Sequence, residues 1–214
     1  LAKEASPLFQ IHRVDRMWRE PQGFLQEETS MSSMRYQKED VAYQLMTPSE
    51  IAHSAQLPSL QDVSKEAMLY GTRMHAWIES LPKGSWQEED YLALTPQPNS
   101  QERYALQKLN EDPLFQRANR YPEIYHELPF TVMENQTILH GFIDFAAIGE
   151  DIIIIDFKSD RVERAEELIQ RYRDQLLAYE KAMHILYPTY EIHTYLYSLS
   201  LHQSMEVIRQ KAVG

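Results

Sequence analysis

The sequence contains no cysteine. Disulfides and zinc-thiolate centres are therefore excluded, and the composition suits a reducing compartment such as the cytoplasm. No apolar run approaches the roughly 18 residues that a membrane-spanning helix needs. The opening, Leu1-Ala-Lys-Glu-Ala-Ser6, lacks both an initiating Met and the basic-then-apolar pattern of a secretory signal. An excised domain of a larger protein is expected. No Gly-x-x-x-x-Gly-Lys-Ser/Thr sequence occurs, so the chain carries no ATP site of that type. Basic residues are also few: 21 Lys and Arg face 32 Asp and Glu, for a net charge of −11. A protein that grips duplex DNA over its whole surface by counterion release has the opposite balance, so any contact with nucleic acid must be local.

What is present is 214 residues of 43% hydrophobic content, enough for one well-buried domain with an extended arm. Ile152 to Ile155 is a β-branched run of the kind that fills a strand buried on both faces, and it ends in Asp156-Phe157-Lys158. Side chains alternate along a strand, so Asp156 and Lys158 share one face and Phe157 takes the other. Upstream, Leu139 to Ile148 also reads as strand, with Asp144 inside it, although Asp is depleted from strand interiors. Glu150-Asp151 breaks the two runs, and a hairpin across that break brings Asp144 and Asp156 together. Two adjacent carboxylates repel and cost several kcal/mol to bury uncompensated. A hard divalent cation between them relieves this and suits phosphate chemistry, with Lys158 offsetting charge on the phosphoryl oxygens. The same three residues also fit an ordinary strand-end ion pair with Asp144 at a bulge.

The rest of the chain supplies context. Residues 1 to about 65 are polar and interrupted by Pro7, Pro21, Pro48 and Pro58; Pro7 to Ile11 reads as a docking segment and Lys38 to Met46 as one or two helical turns. Val63 to Leu81 has a helical period and carries His75, readable as a packing histidine or a ligand. Trp86 to Pro98 reads as an acidic loop, and residues from Gln101 to Asn119 as two short helices broken at Asp112-Pro113. Glu123 to Glu134 is the first strand of a three-stranded meander, with Glu127 either solvent-facing or beside the site. The long helix Ala165 to Leu186 carries the apolar stripe Leu168, Tyr172, Leu176, Tyr179, Met183 and Leu186. Gln175 and Tyr179, one turn apart, share its face. Gln175 is a rim residue or reaches a base or phosphate; Tyr179 packs in the core or orients Lys158. Strands follow over Tyr190 to Ser198 and Ser204 to Arg209. Arg161, Arg164, Arg171 and Arg173 either rim the site for phosphates or sit on a solvated face. The fold class expected from this order is α/β, a mixed central sheet flanked by helices.

Gly141-Phe-Ile-Asp144 followed by Asp156-Phe-Lys158 resembles the metal-binding core of the PD-(D/E)XK nuclease superfamily, whose restriction-endonuclease-like fold is αβββαβ. Gly71-Thr-Arg-Met-His75, Tyr125-His-Glu127-Leu-Pro-Phe130 and Tyr172-Arg-Asp-Gln175-Leu-Leu-Ala-Tyr179 stand in the order and spacing of its RecB-like branch, nearest to the nuclease domains of AddA (RexA) type helicase-nuclease subunits. The resemblance implies a metal-dependent deoxyribonuclease, an exonuclease acting on single-stranded DNA in double-strand break repair by recombination. Mg²⁺ would be the cofactor, with Mn²⁺ as a substitute. It implies His75, Asp144, Asp156 and the Phe157 carbonyl as metal ligands and Lys158 as catalytic, with Glu127, Gln175 and Tyr179 supporting the site. The family usually reads Asp-Tyr-Lys-Thr-Asp where this chain has Asp-Phe-Lys-Ser-Asp160. The iron-sulfur cluster of some RecB-like nucleases is excluded by the missing cysteines. Residues 1–65 would be an arm leading from a helicase motor in the parent chain and 66–214 the nuclease domain, with no membrane contact and with an AddB/RexB-like partner subunit. Two other classes stay open: a free-standing RecB-like exonuclease, and a non-catalytic DNA-end-binding domain of the same fold. A metal phosphohydrolase of small nucleotides is a third.

Overall fold

The computed structural model describes residues 44–54 and 65–208. The expected docking segment at Pro7 to Ile11 and most of the expected arm lie outside the described residues. The described elements run β1 (Gln44–Met46), α1 (Pro48–Ser54), α2 (Lys65–Ser80), α3 (Glu88–Ala93), α4 (Ser100–Glu111), α5 (Pro113–Ala118), β2 (Glu123–Glu134), β3 (Thr137–Ile148), β4 (Ile152–Lys158), α6 (Ala165–Leu186), β5 (Ile192–Ser198) and β6 (Gln203–Glu206). None of the described helices is long and apolar enough to cross a membrane. The expected α/β class and mixed sheet are what the structure has.

Local chemistry explains most boundaries. Asn99 caps α4 by accepting from the backbone N–H groups of Gln101 and Glu102. Asp112 caps α5 by accepting from Phe115 N, and Pro113 opens that helix where its missing N–H costs nothing. On β4, Ile152 to Ile155 are all fully buried, each worth about 1.5–3 kcal/mol on burial. The strand has a core on either side: Ile153, Ile155 and Phe157 pack into the one built with α2, α4 and α5, and Ile152 and Ile154 into the one built with α6.

The sheet is mixed. β2, β3 and β4 form the antiparallel meander; β5 lies parallel to β4 after the α6 crossover, and β6 closes antiparallel on β5. β3 is covered on one edge by β2 from Thr137 to Ile148, with the pairing skipping Asp144 and Glu127. Its other edge is shared: β1 pairs with Thr137 to Leu139 and β4 with Phe145 to Ile148. Residues 140–144 have no strand partner on that edge among the described residues. The sheet is split there, and Asp144 stands at the mouth of the split.

The split coincides with an exchange of faces. On β3, Leu139 and Ile143 point to the α6 core, yet Phe145 and Ala147 point to the opposite one. On β2, Leu128, Phe130 and Val132 face α6, yet Ile124 faces the other way. The β2–β3 register is the same on both sides of the change, with His126 opposite Phe145 and Leu128 opposite Ile143. What differs is the backbone of Glu127, at φ 47°. A positive φ in a non-glycine residue turns one peptide over, which lets the strand exchange faces without losing its register.

Three short elements depart from expectation. Gln44 to Met46 forms strand β1 where helical turns are expected, because its three residues find a parallel partner in β3. Residues 48–54, inside the expected arm, form α1, started by Glu50 accepting from Thr47 N at 2.7 Å. The acidic loop from Trp86 to Pro98 contains α3, whose Asp90 accepts from Gln87 N at 2.7 Å and whose Tyr91 is buried. The expected strand and long helix at Glu123 to Glu134 and Ala165 to Leu186 are found with those bounds.

Gly71 lets α2 approach the chain just beyond β4: a Cβ there would lie 2.7 Å from Ser159 Oγ. Gly71→Val should therefore destabilise the fold by about 1–3 kcal/mol in urea unfolding, although valine is the better helix former. Ser159→Gly should recover most of that loss. A Gly71→Val chain as stable as the parent would show that the approach is not tight.

Candidate active site

Five elements deliver side chains to the split. α2 supplies His75, β2 supplies Glu127 and β3 supplies Asp144. Asp156, Phe157 and Lys158 end β4, and α6 presents Gln175 and Tyr179. Phe157 is packed edge-on against Phe115, Phe145 and Tyr197 in the opposite core, which fixes the strand end and so the direction of its two neighbours.

His75, Glu127 and Asp144 each offer one ligand atom, and these atoms lie within 4.8 Å of one another, on half-buried side chains. The His75 Nδ1 atom is 3.7 Å from Asp144 Oδ2, and Nε2 is 3.0 Å from the Phe157 carbonyl oxygen. The Phe157 N–H donates to Asp144 Oδ2 at 2.9 Å, so the Asp144 carboxylate bridges the gap between β3 and β4. Glu127 reaches the group through its φ of 47°. Such a conformation costs on the order of 1–3 kcal/mol and is kept where the surroundings impose it.

Asp156 is fully buried. Its Oδ1 accepts from Gln175 Nε2 at 3.2 Å, and its Oδ2 meets the Lys158 ammonium at 2.7 Å. Gln175 also donates to the Tyr179 hydroxyl oxygen at 2.8 Å. Lys158 lies over the ring of Tyr172, 4.4 Å from its centroid.

The electrostatics follow from this crowding. Burial first, and then the charge of Asp156, push the Asp144 carboxyl up to about 7, with His75, Lys158 and the Phe157 N–H pulling the other way. Burial alone would pull the Lys158 ammonium down, but Asp156 and Asp144 outweigh it and hold the group above its ordinary value. Lys158 is therefore a fixed cation at neutral pH. Tyr179 is raised by burial and then by the same carboxylates, so it stays a neutral phenol.

Three carboxylates thus surround one fixed ammonium and an imidazole, an excess of negative charge that a divalent cation relieves. One imidazole nitrogen with carboxylate oxygens is a donor set that suits Mn²⁺ beside Mg²⁺. The 3.0 Å between His75 Nε2 and the Phe157 oxygen fits a hydrogen bond. The residues present fit such an ion.

Every residue named from the sequence as a site residue lies at or beside the split, though not all in one shell. The expected metal set is His75, Asp144, Asp156 and the Phe157 carbonyl; the side chains that converge are His75, Asp144 and Glu127. Asp156 stands behind them, turned to Lys158 and Gln175. Gln175 and Tyr179 are both buried, and Gln175 reaches Asp156 rather than outward to a base or phosphate. Of the four arginines, Arg171 is paired with Asp160, Arg164 with Glu167, Arg173 donates to the Ile208 carbonyl, and Arg161 is exposed. Sequence reasoning missed the contact between Tyr172 and Lys158, assigning Tyr172 to the apolar stripe. The signal that could have found it is its place three residues before Gln175 on the same helix face.

The family comparison agrees with this geometry. The PD-(D/E)XK nuclease superfamily profile matches residues 50–209. The chain is 31% identical over 96 residues to an ATP-dependent helicase/nuclease subunit of Streptococcus equi subsp. zooepidemicus, which covers 42% of this chain and 8% of that protein. It is 31% identical over 91 residues to the protein of the same description from Lactiplantibacillus plantarum, covering 36% and 7%. It is also 31% identical over 80 residues to the exonuclease/helicase subunit RexA of Streptococcus pneumoniae serotype 4, covering 34% and 7%. The similarity thus spans less than a tenth of these relatives' length.

The raised Asp144 carboxyl makes stability depend on pH. Between about pH 4 and 7 the folded chain keeps a proton there that the unfolded chain gives up, so the metal-free fold loses stability as pH rises, by at most about 1.4 kcal/mol per unit from this group. Asp144→Asn should flatten the fall in melting temperature between pH 5 and 8. Mn²⁺ should raise the melting temperature of the parent chain at pH 8, and Asp144→Asn should abolish that rise. An unchanged pH profile in Asp144→Asn would contradict the crowding described above.

Proposed function

We propose that this chain, which belongs to the PD-(D/E)XK nuclease superfamily, is a divalent-cation-dependent deoxyribonuclease that hydrolyses single-stranded DNA as an exonuclease. In this reading it is the nuclease module of an ATP-dependent helicase-nuclease that processes double-strand breaks for recombination. The observation that carries it is the convergence of His75, Glu127 and Asp144 beside the buried Asp156–Lys158 pair.

His75, Glu127 and Asp144, bordered by Asp156 and the Phe157 carbonyl, are the groups that would hold Mg²⁺, with Mn²⁺ as a substitute. Bound there, the ion lowers the pKa of water and offsets charge on the phosphoryl group. The protein does the rest. Lys158, held protonated by Asp156, presents its remaining N–H donors to a non-bridging phosphoryl oxygen and stabilises the charge that grows there during attack. Gln175 fixes the Asp156 oxygen that Lys158 does not use, and the Tyr179 hydroxyl fixes Gln175. These two act on the carboxylate rather than on the substrate.

The helicase context is supported by the names of the relatives, which describe ATP-dependent helicase/nuclease and exonuclease/helicase subunits, and single-stranded DNA is what such a motor would deliver. A net charge of −11 is consistent with a strand delivered by a motor elsewhere rather than captured by a broad basic surface. Residues 1–65 then serve as the connection from the helicase motor of the parent chain and 66–214 as the catalytic domain, with β1 and α1 of that connection docked on the catalytic sheet. An AddB/RexB-like subunit is the proposed partner.

The test uses end-labelled single-stranded DNA with this chain in Mg²⁺, Mn²⁺ or EDTA. Metal-dependent cleavage is expected, with Asp156→Ala and Lys158→Ala each losing at least about 100-fold in rate. Both variants should still bind DNA. Cleavage that survives EDTA or Lys158→Ala would overturn the assignment.

A further inference from the structure

The proposed mechanism needs Lys158 in one place, yet lysine is a compact charge on a flexible four-carbon stem. Asp156 restrains the ammonium from one side only, at 2.7 Å. The second restraint is the face of Tyr172, whose ring centroid is 4.4 Å from Lys158 Nζ. That ring is itself held. Its hydroxyl lies 3.1 and 3.0 Å from the two oxygens of Asp160 and donates its single proton between them. Arg171 pairs with the same carboxylate at 2.5 Å. The Asp160 main chain is anchored in turn, because Ser200 Oγ donates to its carbonyl at 2.7 Å. One residue earlier in the loop system, Leu199 N donates to the Lys158 carbonyl at 2.9 Å.

We propose that Tyr172 is a positioning residue for Lys158, with Asp160 and Arg171 as the bracket that fixes its ring. The proposal rests on the nuclease reading and extends it to the group that confines the catalytic cation. A protonated amine over an aromatic face is attracted by the ring quadrupole. Here the attraction acts in a place where the side chain of Lys158 is only 16% exposed. Held between ring and carboxylate, the ammonium keeps one orientation, which leaves its remaining N–H donors for a phosphoryl oxygen. Without the ring the stem regains rotamers, and Lys158 must be reordered in each turnover. The arrangement also gives Arg171 and Asp160 a use other than phosphate contact.

Two readouts test this. In DNA cleavage, Tyr172→Leu should lower kcat by about 10- to 100-fold with KM within about two-fold, since the ring acts through Lys158, against which it lies. Tyr172→Phe keeps the face but releases it from the Asp160–Arg171 bracket, so its loss of kcat should be smaller than that of Tyr172→Leu, about three-fold. The rise in melting temperature with Mn²⁺ should be the same in all three chains. Independently of activity, reductive methylation followed by mass spectrometry should label Lys158 several-fold faster in Tyr172→Leu than in the parent or in Tyr172→Phe, with Lys108 as the internal standard. Equal labelling of Lys158 in parent and Tyr172→Leu, or equal loss of kcat in Tyr172→Leu and Tyr172→Phe, would overturn the proposal. A parent chain that does not cut DNA at all would instead count against the nuclease reading, and the labelling experiment would still decide whether Tyr172 confines Lys158.

Discussion

The constraint on which the molecule depends is the repulsion between Asp144 and Asp156, two carboxylates brought together in the interior of a sheet, with Glu127 close by and Lys158 as a fixed cation beside them. Charges this close, so far from bulk water, raise a pKa or recruit a counter-ion, and Asp144 shows the first response in its raised carboxyl. A fold optimised only for stability would place apolar side chains here. The site instead keeps an electrostatic deficit, which a bound divalent ion would remove.

The sheet is built to hold that deficit open. β3 gives one edge to β2 and divides the other between β1 and β4, which leaves residues 140–144 without a strand neighbour there among the described residues. The backbone groups exposed by the division are partly answered by side chains: the Phe157 N–H finds the Asp144 carboxylate, and the Phe157 carbonyl finds His75. At the same point the strands exchange faces through the positive φ of Glu127. The two cores on either side of β4 keep these departures local. Phe157 is clamped among aromatic rings in one core, and Gln175 and Tyr179 close over Asp156 from the other.

Much of this was legible in the sequence because it follows from local rules. Strict alternation put Asp156 and Lys158 on one face of β4, and the hairpin break at Glu150-Asp151 set Asp144 beside them. The spacing of Gln175 and Tyr179 put them on one helix face, although the acceptor of Gln175 was not readable from spacing. Glu127 belongs to the less legible part. Alternation along β2 gives no sign that a peptide turns over there, so its meeting with His75 and Asp144 depends on a backbone angle that the residue type disfavours. β1 was hidden for a different reason: three residues carry almost no pattern, and their partner in β3 is distant in the chain. The arginines after β4 could be read as a phosphate rim or as a solvated face, because the partners of Arg171 and Arg164, Asp160 and Glu167, are ordinary acidic residues whose choice of cation only the fold decides.

The split between β1 and β4 is proposed as a divalent-cation site closed by His75. The most direct measurement is electron spin-echo modulation of Mn²⁺ bound to this chain, which detects a nitrogen nucleus coordinated to the ion. The account predicts a clear imidazole ¹⁴N coupling in the parent chain, absent from His75→Gln. Manganese that binds without that coupling, or with a coupling that survives His75→Gln, would place the ion elsewhere and contradict the account.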